Sequence, residues 1–561
     1  MSASSKPDID SEKHGGDSAP SVVLQEDATE IDLATFHELH AGRLVIDPTE
    51  AKIEFGETFA SKLKLSRDGT KVLWPQPTDS ARDPQNWSNT RKSIHLFIVT
   101  LAAIVPDFDS GIGIASLFPL AQQFNTTTGV INNLTSNWSI FLLGWGGIFA
   151  VMIIRRYGRL PILFWSQVLA LGFLVGCTFA PNLKTFTGMR CLTAFFATAP
   201  QVAGLYIVTD LYPFHLQARK VVAQNTLVLM FNLLYSSTFG QWGSSSPHSS
   251  LPSPSASSSR DKPGGGRMEL AACNLTKIYR QLSLTHPRMY DRTVKPIPEP
   301  PTTGLRYRIE TLVGITGIKM AKYRVSWTES ILSPINVVWR PHLLGALLFE
   351  GMLFGFSIGL NVTNVVFLGT PLPVGFGWSQ DAIAGAYGTP IVSVLLGELV
   401  GRYLNDWIMN KSIKRNSGVF EAESRLWACY IAVPLYICGF VTFGASIQKH
   451  LNTAGIIMGW GIAELATMIN TVAIYAYCND CFPKHQGEIS ALINLARTLG
   501  GFAVAYFQVP WAEKHGAIQT FGCEAADFPP DCASPADIRT EFTKTLLNGV
   551  INVVSTSFHD Y

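Results

Sequence analysis

Apolar stretches long enough to cross a bilayer recur along this 561-residue chain, and they constrain its fold more than any other feature. They lie near 94–118, 130–153, 162–181, 190–211, 222–242, 342–367, 382–404, 427–446, 454–477 and 488–511. Crossing a hydrocarbon core of roughly 30 Å takes about 20 helical residues. A backbone in lipid must satisfy its own hydrogen bonds, so segments of this length have to be helices. The sequence therefore predicts an all-α polytopic membrane protein with about ten spans.

Composition narrows the function classes. With 47% hydrophobic and only 15% charged residues, the chain needs an apolar solvent. A net charge of +2 is a near balance, not the concentrated basic excess of a nucleic-acid binder. The nine cysteines form neither a disulfide framework nor a zinc spacing. Cys478 and Cys481 make a CxxC at the end of a span, where packing is the simpler reading. No metal or cofactor is expected. The opening MSASSKPDID lacks the apolar core of a cleaved signal, so the first span is expected to act as the insertion signal.

Five segments follow: a polar cytosolic tail (1–93), a first helix bundle (94–242), a Ser/Pro-rich and basic central segment (243–341), a second bundle (342–511) and a polar tail (512–561). Lys and Arg mark cytosolic loops. Arg155, Arg156 and Arg159 follow the second span, Arg219 and Lys220 the fourth, and Lys411, Lys414, Arg415 and Arg425 the seventh. Asn125 and Asn133 sit in glycosylation triplets near the first outer loop, Asn133 close to the membrane. The alternation breaks at the fifth stretch, because the second bundle obeys the rule only if its first helix starts inside. Between them, SSSPHSSLPSPSASSSRDKPGGGR cannot be a membrane helix. Either 222–242 does not fully cross or one span is missing. The stretch 305–324 is expected on the inner membrane face or as a solvated linker.

Several motifs carry a resemblance. Asp83-Pro84-Gln85-Asn86-Trp87, just before the first span, resembles the entry signature of fungal major facilitator transporters of the drug:proton antiporter type. Arg155-Arg156-Tyr157-Gly158-Arg159-Leu160-Pro161 is similar to that superfamily's loop motif after helix two. GELVGRYLND (397–406), KRNSGVFEAESRLW (414–427) and INLARTLGGFAVAYFQVPW (493–511) extend the likeness into the second half. The resemblance implies two six-helix halves rocking around a central site, with a small-molecule substrate, protons and membrane lipid as partners, and a monomer in the plasma or vacuolar membrane. It departs from the family at three positions of the loop motif and, more widely, in the spans. Val151, Arg155 and Leu160 replace a glycine, an aspartate and a basic residue of the loop motif, so the family's charge lock is not expected to form in its usual way. The Gly-Pro motif of helix five is absent, and spans six and twelve are missing, as they would be in a mis-spliced, inactive product.

Ionisable groups inside spans cost roughly 2.5–3.5 kcal/mol each at the helix centre, so each needs a partner or a cavity. The candidates for substrate or proton handling are Asp107 and Asp109 in the first span, Glu350, Glu464, Asn494 and Arg497. Asp107 and Asp109, two apart, fall on different helix faces. Glu464, desolvated at mid-span, is the candidate that titrates with a proton gradient. Arg497 cannot shed its charge and requires an anion, either a substrate group or a carboxylate such as Glu464 or Asp107. Arg156, Gly158 and Arg159, with Gly401, Asn405 and Asp406 in the second half, are the gate candidates that hold cytosolic helix ends together in one state. Arg155 is expected only to set topology. The functional reading is a proton-coupled exporter of small amphipathic compounds. An uptake permease for a nutrient or organic cation is its alternative, and no nucleophile or metal cluster points to an enzyme.

Overall fold

The computed structural model describes residues 44–61, 63–66, 68–74, 76–77, 83–106, 117–213, 216–217, 305–369, 375–416, 419–482 and 485–526. Among them, seven helices are long and apolar enough to cross a membrane: Gly129–Tyr157, Arg159–Thr178, Leu183–Leu211, Pro341–Gly369, Ala422–Gln448, Thr453–Cys481 and Gln486–His515. Of the other three expected spans, the one at 222–242 lies outside the described residues. The first is described only in part, as a helix over Asn89–Ala103. The stretch 382–404 forms two helices broken at Tyr387.

In the first half, α1 (Asn89–Ala103) precedes α2 (Trp138–Tyr157), α3 (Arg159–Thr178), α4 (Leu183–Ala197) and α5 (Ala199–Leu211). Gly158 alone separates α2 from α3, at φ +99°, a left-handed conformation that costs glycine little and any L side chain more. The chain thus reverses at the membrane edge in one residue.

The second half comprises α9 (Pro341–Gly369), α10 (Gln380–Ala386), α11 (Gly388–Arg415), α12 (Trp427–Gln448), α13 (Thr453–Cys481) and α14 (Gln486–His515). Preceding it, α6 (Leu305–Val313), α7 (Ile315–Met320) and α8 (Trp327–Val338) occupy the end of the central segment. On α8, Ser330, Ser333, Pro334 and Val337 are buried while Trp327, Ile331, Leu332 and Ile335 are exposed, the division an interfacial helix makes. Lipid offers no hydrophobic drive between helices, so close backbone contact matters instead. Gly351, Gly355 and Gly359 line one face of α9, and a Cβ at Gly355 would stand 2.7 Å from the Gly500 backbone on α14.

Two findings correct the expected boundaries. The helix expected to end near 511 reaches His515, and α15 (Ala517–Ala526) follows it. Phe521 on α15 is fully buried against Phe443, with ring centroids 5.0 Å apart, and Gln508 donates to both Glu524 oxygens. The polar-looking stretch from 512 to 526 is therefore part of the second bundle, because Ala517, Thr520, Phe521 and Glu524 share one buried face. The N-terminal region is not only a tail. β1 (Leu44–Val45) pairs antiparallel with β2 (Val419–Phe420), in the loop between α11 and α12.

Candidate functional site

Three groups of polar side chains stand out. In the interior of the second half, Glu350 on α9 is fully buried and pairs with Arg497 on α14, Nη2 to Oε1 at 2.6 Å and Nε to Oε1 at 2.7 Å. Thr471 donates to the same oxygen at 2.9 Å. The Arg497 guanidinium also lies over the rings of Phe354 (4.0 Å) and Tyr475 (4.8 Å), which shelters it without adding charge. The anion that Arg497 requires is thus Glu350. The sequence leaves this anion open, as a substrate group or a carboxylate such as Glu464 or Asp107, because it does not say which helix stands beside α14. Asp107 and Asp109 lie outside the described residues.

Glu464 has a different environment. It is 4% exposed on α13, and its Oε1 accepts from Ser357 Oγ and Asn361 Nδ2, both at 2.8 Å. Trp460 Nε1 donates to Asn361 Oδ1 at 3.0 Å, and Tyr387, at the break between α10 and α11, donates to the Asn361 carbonyl at 2.5 Å. Among the described residues, Glu464 meets neutral donors and no cation. A desolvated carboxylate without a counter-ion is the arrangement that can exchange a proton at least cost. One buried acid of this half, Glu398 on α11 (3% exposed), was not singled out from the sequence, although it stands inside the quoted GELVGRYLND.

The third group joins helix ends of the two halves, on the side that the Lys and Arg pattern predicts to be cytosolic. Arg155, at the end of α2, forms an ion pair with Glu488 in the first turn of α14 and a hydrogen bond with Ser333 of α8. Tyr206 donates to the second Glu488 oxygen at 2.8 Å, and His485 Nδ1 lies 3.5 Å from the first. A charge lock between the halves therefore exists, with a cation where the family pattern has an acid; the expectation that Arg155 only sets topology is corrected. Arg156 donates to the Val325 carbonyl at 2.8 Å. Opposite Gly158, burial pulls the Arg324 guanidinium below the ordinary arginine range. Arg159 pairs with Asp210 at the end of α5 and donates to the Tyr206 carbonyl at 3.0 Å.

The second half repeats that last arrangement. Arg425 binds Asp480 at 2.9 Å, at the end of α13, and donates to Asn405 Oδ1 at 3.0 Å. Gly401 lets α11 approach Ile469 and Val472 of α13, and Asp406 is half-buried beside it. Asp210 and Asp480 had not been picked out, yet a signal was present: each opens an Asp-x-x-Pro, Asp210-Leu-Tyr-Pro213 and Asp480-Cys-Phe-Pro483. Each is held by an arginine at the start of the span just before the one whose end carries the aspartate. Asn494 bridges the halves higher up, donating to Thr198 Oγ1 at 3.4 Å.

No family model matches the chain. It is 30% identical over 166 residues to the trichosetin biosynthesis cluster MFS transporter of Gibberella fujikuroi, which is 28% of this chain and 34% of that protein. The match thus spans about a third of that relative. Over most of its length, 88% of this chain and 85% of the relative, it is 21% identical to the MFS-type transporter atr4 of Stereocaulon alpinum. The MFS-type transporter hepF of Aspergillus oryzae is 23% identical over 79% of this chain and 89% of its own. Among solved structures, the major facilitator superfamily proton:xylose symporter XylE superposes with a TM-score of 0.52 at 13% identity, covering 78% of this chain and 94% of that one. The chain has the all-α major facilitator fold and is an integral, multi-pass membrane protein. These relatives are transporters.

Proposed function

We propose that this chain is a secondary active transporter that exports small amphipathic organic compounds in exchange for protons, by alternating access at the plasma membrane. One observation carries the proton coupling: Glu350 has a matched cation, whereas Glu464, also buried, meets only neutral donors among the described residues. Glu464 can gain and lose a proton without stranding a partner. Glu350 cannot, because its neutralisation leaves Arg497 charged among apolar neighbours. The fungal relatives, one of them named for a biosynthetic cluster, support the export of an organic compound.

The test is a pair of variants. Glu464→Gln keeps the size and hydrogen bonding of the neutral acid, so folded protein in detergent should be unchanged while gradient-driven flux in vesicles is lost. Glu350→Gln breaks a buried pair, at a cost of about 3–5 kcal/mol, so the yield of folded protein should fall. Undiminished, still gradient-dependent flux in Glu464→Gln would move the proton site elsewhere.

A further inference from the structure

The region ahead of the first span is anchored twice, on opposite halves. Residues 44–77 dock on the second half. Leu44 and Val45 pair with Phe420 and Val419, and Trp74 Nε1 donates to the Val45 carbonyl at 3.0 Å. The Val72 amide donates to the Ile46 carbonyl at 2.9 Å. Val45, Ala51, Phe55, Val72 and Trp74 are all buried, as are Phe420 and Ala422 at the strand on which β1 docks. Phe420 in turn lies 5.4 Å from the Arg425 guanidinium, the cation that holds Asp480 and Asn405 together.

The next anchor belongs to the first half. Asp83 caps the turn Pro84–Asn86, and Trp87 is buried against Leu205, Val208, Leu211 and Tyr212 around the end of α5. Lys92 of α1 donates to the Gln85 carbonyl at 2.8 Å, and Arg91 lies 3.9 Å over the Trp87 ring. Pro77 is fixed to the first anchor through its carbonyl, which accepts from Lys64 Nζ at 2.8 Å. From Pro77 to Asp83 the chain takes six steps, which span at most about 20 Å in any conformation.

We infer that residues 44–77 act as a cytosolic strap, which limits how far the two halves separate on that face while β1 is docked on β2 and permits wide opening when it is released. The inference rests on the alternating-access reading above. The strap is covalently part of the first half but packs on the second, so any separation of the cytosolic ends is limited to what the short connection between the anchors allows. Arg425 makes the docking sensitive to the gate, because β2 leans on the residue that closes the second half's own helix ends.

The full-length protein tests this through the distance between spin labels at Lys319→Cys on α7 and Lys414→Cys on α11, in a background without native cysteines. Gly317 sets α7 against the Tyr157 carbonyl, so Lys319 reports on the first half. The facing pair Val45→Cys and Val419→Cys then locks the strap, since directly opposed strand residues have Cβ atoms about 4.5–5.5 Å apart. For this pair the labels are replaced by fluorescent non-canonical amino acids at 319 and 414, leaving the thiols to form the disulfide. Two distances are expected in the reduced protein, loss of the longer one on oxidation, and its return when about twenty Gly/Ser residues are inserted after Pro77 in the oxidised form. A long distance that survives oxidation, or that the insert fails to restore, overturns the strap. If the cysteine pair prevents folding, the insert alone decides: the longer population should grow, and an unchanged distribution is fatal to the inference. A single distance under every condition sinks both the strap and alternating access. The expected redox response in a protein that moves no solute sinks only the transport reading.

Discussion

Glu488 is 1% exposed at the start of α14, and Arg155, Ser333, Tyr206 and His485 all converge on it. Removing its charge strands Arg155, which remains 12% exposed. Glu488→Ala should therefore cost about 3–5 kcal/mol in the state where the cytosolic ends are closed, and shift the population toward the open one. Accessibility of a cysteine at Ser333 to a reagent on the cytosolic side measures this. The exchange Arg155→Glu with Glu488→Arg should recover most of the loss, and equal accessibility in all three proteins would show that the pair carries no closing energy. The sequence alone could say that Arg497 and Glu350 each needed a partner, because burial makes a lone charge costly wherever it stands. Arg155 gave no such signal: it lies at a helix end where lysine and arginine ordinarily face water, and its partner is 333 positions away.

At the scale of elements, helix identity was readable from apolar length alone, but two features were not. The break at Tyr387 does not show in apolar length; its local mark is Pro390, which has no amide to bond the Ala386 carbonyl, and Tyr387 turns its hydroxyl to Asn361 there. α15 was unreadable for the opposite reason. Ala517–Ala526 is too short and too polar to look like a span, and only packing shows that Phe521, Thr520 and Glu524 point inward. If α15 belongs to the bundle core, Phe521→Ala should lower stability by about 3–5 kcal/mol, as truncations of buried aromatics do. Thermal unfolding of the purified protein in detergent reads this directly. A melting temperature equal to the unaltered protein's would return α15 to the status of a loosely attached tail. The same measurement on Ile518→Ala, at a less buried position, serves as the control.

For the whole molecule, the positive charges and the ion pairs must agree on which side is the cytosol. Lys414 lies on the face that also carries Arg425, the strap and the Arg155–Glu488 pair. A cysteine at Lys414 should accordingly be modified by an impermeant reagent only after the cells are opened, and modification in intact cells would invert the whole assignment. The two halves meet along α2 and α14, where Gly144 and Gly147 face Thr498 and Asn494 at mid-height and the ion pair closes one end. This arrangement is a lever with its fulcrum among small side chains. α2 has 20 residues. A 20-residue helix is about 30 Å long, so pivoting at mid-height by about 20° carries each end about 5 Å. Small rotations of the bundle leave the Arg155–Glu488 contact nearly intact, while a rotation of that size parts it entirely. The pair therefore responds as a threshold: it resists the first degrees of tilt, then contributes nothing to the rest of the stroke.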